Sequence, residues 1–296
     1  MVEPSPLARR PQERLEITRL EAGRGSSAFD EVAREEPLQL LVDGMPLAIL
    51  LRTPGSDLEL ALGLMHAEGI IHRLSDVALV RLAPSGQAVW PVSELEVGAD
   101  PEAENLVDVH LRTPLPSGDL GWQRHLPASS ACGICGSATM EAVQRFQAPV
   151  VGHRRWPMDR VFNLPRLLAA SQPVFRSTGG LHAAGMVAWG AQEMEVAEDV
   201  GRHNAVDKLV GRALLDGRLP LTDSCLVVSG RAGFEIVQKA AAAQVSLVAS
   251  ISAPSSMAVQ TARLLGVTLV GFLRGETGNV YSHPERLELQ PGIERW

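Results

Sequence analysis

Two cysteines with two residues between them, Cys132-Gly133-Ile134-Cys135, are the side chains of this sequence best suited to chemistry. The thiolate is the reactive form of cysteine, and the positive end of a helix dipole favours it. The pair is followed by Gly136 and by a stretch, 137–146, that reads as a helix. Gly133 and Gly136 let the backbone bend and approach a partner closely. A loop rich in Pro and Gly over 114–127 leads into the pair and points to mobility. A mobile thiol of low pKa suits a persulfide relay, because donor and acceptor must both reach it. Three other readings stay open on these residues alone. A zinc site needs about two further ligands, and without a second cysteine pair it would have to recruit histidines. A thioredoxin-like dithiol normally follows a strand, whereas Pro114, Pro116 and Pro127 stand here. The pair could also be structural.

Further candidates lie downstream. In Arg176-Ser177-Thr178-Gly179-Gly180-Leu181-His182, two glycines before a histidine allow close backbone approach to a ligand. The run from Glu198 to Lys208 packs Glu198, Asp199, Arg202, His203, Asn204, Asp207 and Lys208 around a helix start. A capped helix explains Asp199 and Asn204, but not His203 beside Arg202 in an opening turn. Ser229-Gly230-Arg231-Ala232-Gly233 ends a strand and opens a helix, where backbone amides and Arg231 would suit a phosphate. It is not a Walker A loop, since the Lys-Ser/Thr pair is absent. Ser252-Ala253-Pro254-Ser255 takes the equivalent place on the next strand and could equally be an ordinary N-cap turn. Cys225, in Ser224-Cys225-Leu226-Val227-Val228-Ser229, reads as an inert core thiol.

The elements that must position these groups form two patterns. In the first third, apolar runs at 38–42 and 47–52 flank Asp43-Gly44, a type I′ hairpin signal. Ser56-Asp57-Leu58-Glu59 predicts a capping box and a helix that presents Leu58, Ala61, Leu62 and Met65 on one face and ends near Gly69. Residues 77–82 and 106–111 read as strands, joined by an acidic connector over 94–105. From 176 onward the alternation is regular. Strands are predicted at 185–189, 194–197, 224–229, 246–251 and 267–273, and helices at 202–215, 234–244 and 256–265. A further helix at 159–171 is expected to break near Pro165. This predicts an α/β fold with a mixed sheet and helices on both faces, preceded by a smaller β-rich region. Its ligand would sit at the loops leaving the strands, 229–233, 252–255 and 274–278, side by side. The expected divisions are a loosely ordered polar arm over 1–35, a β-rich region over 36–127, and an α/β domain over 128–296 that begins with the cysteine loop.

Gross composition narrows the function classes. A chain of 296 residues, 45% of them hydrophobic, can bury a sizeable core, filled by aliphatic side chains because only 4% are aromatic. A net charge of −7 argues against general nucleic-acid or membrane-surface binding. Three cysteines do not make a disulfide framework. Residues 1–16 hold three prolines, three arginines and three glutamates with no apolar core, unlike a signal peptide. The protein is expected to be soluble and cytoplasmic.

Taken together, these segments resemble the formate dehydrogenase accessory sulfurtransferase family. The matching residues are Cys132 to Gly136, Thr178 to His182, Glu198 to Lys208, Ser229 to Arg231, Ser252 to Pro254, Gly271 to Gly275 and Tyr281 to Arg286, with the eleven-residue block from Glu198 the most specific. The resemblance implies a cytidine-deaminase-like fold for the C-terminal domain and a homodimer. It implies that sulfur comes from a cysteine desulfurase as a persulfide on the first cysteine, which matches Cys132, with Cys135 assisting. It further implies delivery to the molybdenum or tungsten bis(molybdopterin guanine dinucleotide) cofactor of formate dehydrogenase, bound through its guanine nucleotide ends, so that guanine nucleotides would act as mimics. The cofactor-binding segment that the resemblance implies is Phe272, Leu273, Arg274, Gly275, Glu276 and Thr277. Around it we expect Thr178, Gly179, Gly180, His182, Asp199, Arg202, His203, Asn204, Ser229, Arg231 and Ser252. Deaminase chemistry itself is not expected, because His182 is followed by Ala183-Ala184 and no proline directly precedes Cys132. A non-catalytic cofactor chaperone is the main rival reading, and a zinc hydrolase the lesser one.

Overall fold

A computed structural model describes residues 10–82, 88–90, 105–114 and 148–289. Strands β1 (Gln12–Glu21) and β2 (Arg24–Ala33) form an antiparallel ribbon. This corrects the expectation of a loose arm over 1–35 for its residues 12–33. The ribbon escapes sequence reading because it has no buried face, so nothing imposes an apolar alternation of period two. Its base is tied down by the Arg34–Glu13 ion pair at 3.3 Å and by a hydrogen bond of 2.8 Å from Ser177 Oγ to Gln12 Oε1.

Strands β3 (Glu36–Val42) and β4 (Met45–Arg52) turn through Asp43 and Gly44, both at positive φ (51° and 76°), as the type I′ signal predicts. With β5 (Val77–Leu82), β6 (Ala88–Trp90) and β7 (Leu106–Leu111) they make a five-stranded sheet of order β4-β3-β7-β5-β6. Helix α1 (Asp57–Ala67) covers one face of it. The predicted capping box does not form. Ser56 sits in the left-handed region at φ 56° and makes no cap hydrogen bond, whereas an N-cap needs extended geometry to aim its hydroxyl at the first-turn amides. Asp57 is held instead by buried Arg52, at 2.8 and 2.9 Å.

The second sheet has six strands in the order β10-β9-β11-β12-β13-β14. They are β9 (His182–Ala188), β10 (Glu195–Asp199), β11 (Ser224–Val228), β12 (Leu247–Ser250), β13 (Thr268–Arg274) and β14 (Thr277–Ser282). Only β11–β12 and β12–β13 are parallel, so the sheet is mixed. A short parallel pair, β8 (Trp156–Pro157) with β15 (Leu287–Glu288), stands apart from it. Helices lie on both faces. α2 (Met158–Ala170) packs on the side that presents Ala183, Cys225, Val227 and Ala249, and it accommodates Pro165 without ending. The other side presents Ala184, Leu226, Val228 and Val248 to α4 (Arg202–Leu215), α5 (Phe234–Ala242) and α6 (Ser256–Leu265). A short α3 (Pro173–Thr178) lies against β2.

α1 and α4 join the two sheet layers. Residues 60–67 of α1 are buried on every side, not on the one face that was expected. The helices cross at bare backbone. A Cβ on Gly63 would overlap the Asp207 carbonyl, and one on Gly211 would overlap the Glu59 carbonyl. Leu214 of α4 completes the core beneath the first sheet. Cys225 is fully buried, and burial pushes its thiol pKa far up, which fits an inert core residue. Among the described residues no helix is long and apolar enough to cross a membrane.

Candidate functional site

The loops after β11, β12 and the end of β13 do lie side by side. Ala232 bridges Pro254, and Ser255 N donates to Ala232 O at 3.0 Å. Ser250 Oγ lies 2.8 Å from Gly230 O and 3.0 Å from Ser252 O. Phe272 N donates to Ser252 O at 3.0 Å. Ser229 extends β11 by one residue, its Oγ accepting from Ala183 N at 2.9 Å, so that hydroxyl already serves the sheet. Arg231 is exposed at this edge.

His182 opens β9 directly opposite Asp199, the last residue of β10. A side chain on Gly230 would touch both the His182 ring (3.4 Å) and Arg202 Cδ (3.5 Å), so the three residues form one contact. Arg202 and His203 make the first turn of α4, which no side chain caps. Arg202 Nε is buried without a hydrogen-bond partner. It shares this with five other buried side-chain atoms among the described residues, but it alone of them lies beside His182 and Gly230 at the ends of the strands. The His182 pKa is lowered by burial and then by the Arg202 charge. That of His203 is lowered to about 3 by burial, then by Lys239, Arg202 and His182. Both rings are therefore neutral near pH 7. His203 Nε2 lies 3.1 Å from Glu235 Oε2, a close approach of a neutral ring to a carboxylate.

The same block supplies a second, closed cluster. Asp199 is fully buried and accepts from Lys208 Nζ (2.7 Å), Thr53 N (3.2 Å), Gly201 N (2.8 Å) and Asn204 Nδ2 (2.9 Å). Asn204 also donates to Leu51 O at 2.8 Å, and Lys208 to Thr53 O at 2.9 Å. These groups weld the end of β4 to the start of α4. Beside them, Asp207 holds Lys239 through both oxygens, at 2.8 and 2.9 Å. Burial pushes Asp207 up, to about 6. Burial also opposes the charge of Lys239, but Asp207, Glu68 and Glu235 outweigh it, and the lysine holds its proton more tightly.

The expected site residues thus separate. His182, Arg202, His203, Ser229, Arg231 and Ser252 come together. Asp199 and Asn204 stand apart from them, buried and with their hydrogen bonds made inside the fold. Thr178 ends α3, its Oγ1 donating to Val174 O at 2.8 Å, and Gly179 (φ 66°) is that helix's left-handed C-cap, which explains one of the two glycines structurally. Gly180 approaches Ala33 of the ribbon. In the segment 272–277, the Leu273 side chain lies in the core. Arg274, Gly275, Glu276 and Thr277 form an exposed turn with Gly275 at φ 53° and Thr277 Oγ1 bonded to Arg274 O at 2.9 Å. Phe272 is 43% exposed at φ 54°, a strained position for a bulky residue. Gly271 before it packs so close to Pro254 that a Cβ would lie 2.7 Å from the ring. Glu235 and Lys239 were missed because their i, i+4 spacing reads as an ordinary surface pair on a helix. Cys132 and Cys135, and the helix expected over 137–146, lie outside the described residues. Among the described residues no group of three or more His, Cys, Asp or Glu side chains could hold a metal ion.

A family model described as FdhD/NarQ family matches residues 33–288. The chain belongs to this family. Among curated relatives, a sulfur carrier protein FdhD from Streptomyces coelicolor is 40% identical over 294 residues, covering 96% of this chain and 98% of that one. One of the same name from Anaeromyxobacter dehalogenans is 46% identical, covering 90% of this chain and 91% of its own. A third, from Sulfolobus acidocaldarius, is 40% identical, covering 93% and 98%. The crystal structure of a protein assigned as a formate dehydrogenase accessory protein from Desulfotalea psychrophila superposes with a TM-score of 0.70, covering 94% of this chain and 100% of that chain. At 22% identity that likeness shows the shared fold of the FdhD/NarQ chains.

Proposed function

We propose that this chain is a sulfur carrier in formate dehydrogenase maturation. It takes sulfur as a persulfide from a cysteine desulfurase and hands it to the molybdenum or tungsten bis(molybdopterin guanine dinucleotide) cofactor. The observation that supports the cofactor half is the open cluster at the start of α4. There an unpartnered Arg202 Nε, an uncapped helix start and exposed Arg231 converge as donors and positive charge at the ends of the sheet strands. Strained, exposed Phe272 lies one hydrogen bond away through Ser252 and would offer its ring to a nucleobase. The names of the relatives support the sulfur half.

In the loading step the Cys132 thiolate attacks the outer sulfur of the donor persulfide. A new S–S bond forms at Cys132, the donor's S–S bond breaks, and the donor leaves as a thiolate, so no outside oxidant is needed. Cys135 either tunes Cys132 or displaces sulfur from it. Incubation with a desulfurase and labelled cysteine is expected to load the wild type, with a mass gain of about 32 Da for one persulfide sulfur. Cys132→Ala is expected not to load, and equal loading of that variant would overturn the assignment. Loss of both cysteines without loss of formate dehydrogenase activation would favour a non-catalytic chaperone instead.

A further inference from the structure

The six-stranded sheet has two rims, and the open cluster occupies only one of them, where the parallel strands β11, β12 and β13 end. At the other rim, where those strands begin, residues 148–152 are tied down. They are the described residues that follow Cys135 in sequence. Gln244 Nε2 donates to Ala148 O at 3.2 Å, and Val150 N to Leu265 O at 2.8 Å. Arg286 donates to Gly152 O at 3.2 Å and to Val150 O at 3.3 Å.

The same rim carries an exposed patch. Val151 is 56% exposed, and His153, Arg154 and Arg155 are all exposed. Trp189 follows β9 beside the start of β11 and is 43% exposed, yet it is held in three ways. Its backbone N donates to Asp223 O at 2.7 Å, its Nε1 donates to Arg155 O at 3.0 Å, and Arg154 lies over its ring at 4.7 Å. An exposed indole that is already fixed loses little freedom on binding, and Trp and Arg are the side chains in which protein interfaces concentrate their energy. Positive charge gathers here as well. In a chain of net charge −7, residues 151–160 hold three arginines against one carboxylate, Asp159. Arg154 has Asp223 at 3.4 Å. Arg155 and Arg160 bond to backbone carbonyls, Leu287 O at 3.3 Å and Ala191 O at 3.4 Å, and make no ion pair among the described residues.

We propose that Trp189 and the arginines around it are the docking surface for the protein that donates sulfur, and that this partner meets them with an acidic face. An anionic partner is repelled by the chain as a whole and drawn to this patch. The proposal rests on the sulfur-carrier reading above. It adds that the donor docks where the chain following the cysteines is rooted, at the opposite rim from Arg202 and Arg231.

Loading by a cysteine desulfurase, with this chain as the varied acceptor, is compared with loading by glutathione persulfide, a donor too small to need the patch. With either donor the acceptor thiolate attacks the outer sulfur, and the donor leaves as a thiolate. Trp189→Ala and the double variant Arg154→Glu/Arg155→Glu are each expected to raise KM with the desulfurase about tenfold or more at unchanged kcat. Loading by glutathione persulfide should stay within about twofold of wild type, which shows that the variants fold and keep their cysteines reactive. Added salt should raise the wild-type KM and change that of the double variant far less. Unchanged KM in both variants overturns the proposal, and a shift in their sedimentation would then assign the patch to a second copy of the chain. Equal losses with both donors overturn it too, because the effect would lie in the fold or at the cysteines. So does a wild type that glutathione persulfide loads and the desulfurase does not. A wild type that takes sulfur from neither donor would remove the sulfur-carrier reading itself, and the docking surface with it.

Discussion

Two clusters built from one short block, 198–208, behave in opposite ways. Asp199, Asn204 and Lys208 spend their polar atoms on one another and on Leu51 and Thr53, out of solvent. Arg202 and His203, in the same turn of α4, each leave a nitrogen without a partner. Helical spacing explains the split. Residues 204, 208 and 211 share the face turned to α1 and the end of β4, 203 and 207 share the face turned to α5, and 202 points to His182 and Gly230. Density of charge in a sequence block therefore does not say which of its side chains are already satisfied; the hydrogen bonds of the folded chain do.

Substitutions can break this contrast. The largest effect is expected where the closed side rests on bare backbone. Gly211→Ala places a methyl group into the Glu59 carbonyl, and forcing α1 off α4 should cost about 3 kcal/mol or more, read as a large drop in thermal midpoint. Next, Asp199→Ala leaves Lys208 buried without its carboxylate and should cost about 3–5 kcal/mol in urea unfolding. Arg202→Ala, two turns away from that lysine, should change stability by less than about 1 kcal/mol while abolishing pyrophosphate binding. Equal destabilisation by the two would erase the distinction between closed and open clusters.

The smallest effect is a pH dependence. His203 has a folded pKa of about 3 against an ordinary 6.5, so between those values the unfolded chain binds a proton that the folded chain does not. The contribution of neutral His203 is complete above pH 6.5 and is lost as pH falls towards 3. Wild-type stability should therefore decline more steeply on acidification from pH 7 to 4 than that of His203→Gln, measured by denaturant titration at each pH. Parallel curves would show that the ring is not desolvated as described.

Much of the fold was legible. The type I′ turn at Asp43-Gly44, the strands at 77–82 and 106–111, and the helices at 202–215 and 256–265 follow from local chemistry, and the structure has them at those positions. The ribbon β1–β2 was not legible, because a strand with both faces in water carries no periodicity. Nor was the left-handed Ser56, whose sequence neighbourhood reads as a capping box until Arg52 claims Asp57.

What the sequence by itself determined is the mixed α/β class, the succession of its main strands and helices between β3 and β13, and the block in which Arg202 and His203 stand. Local propensities and apolar periods act over a few residues, and those features need no more than that. Only the tertiary structure decided which members of the block are satisfied inside the fold and which are not. That choice depends on Thr53, Gly63, Glu235 and Lys239, residues distant in sequence that reach α4 only once both sheets have packed around it.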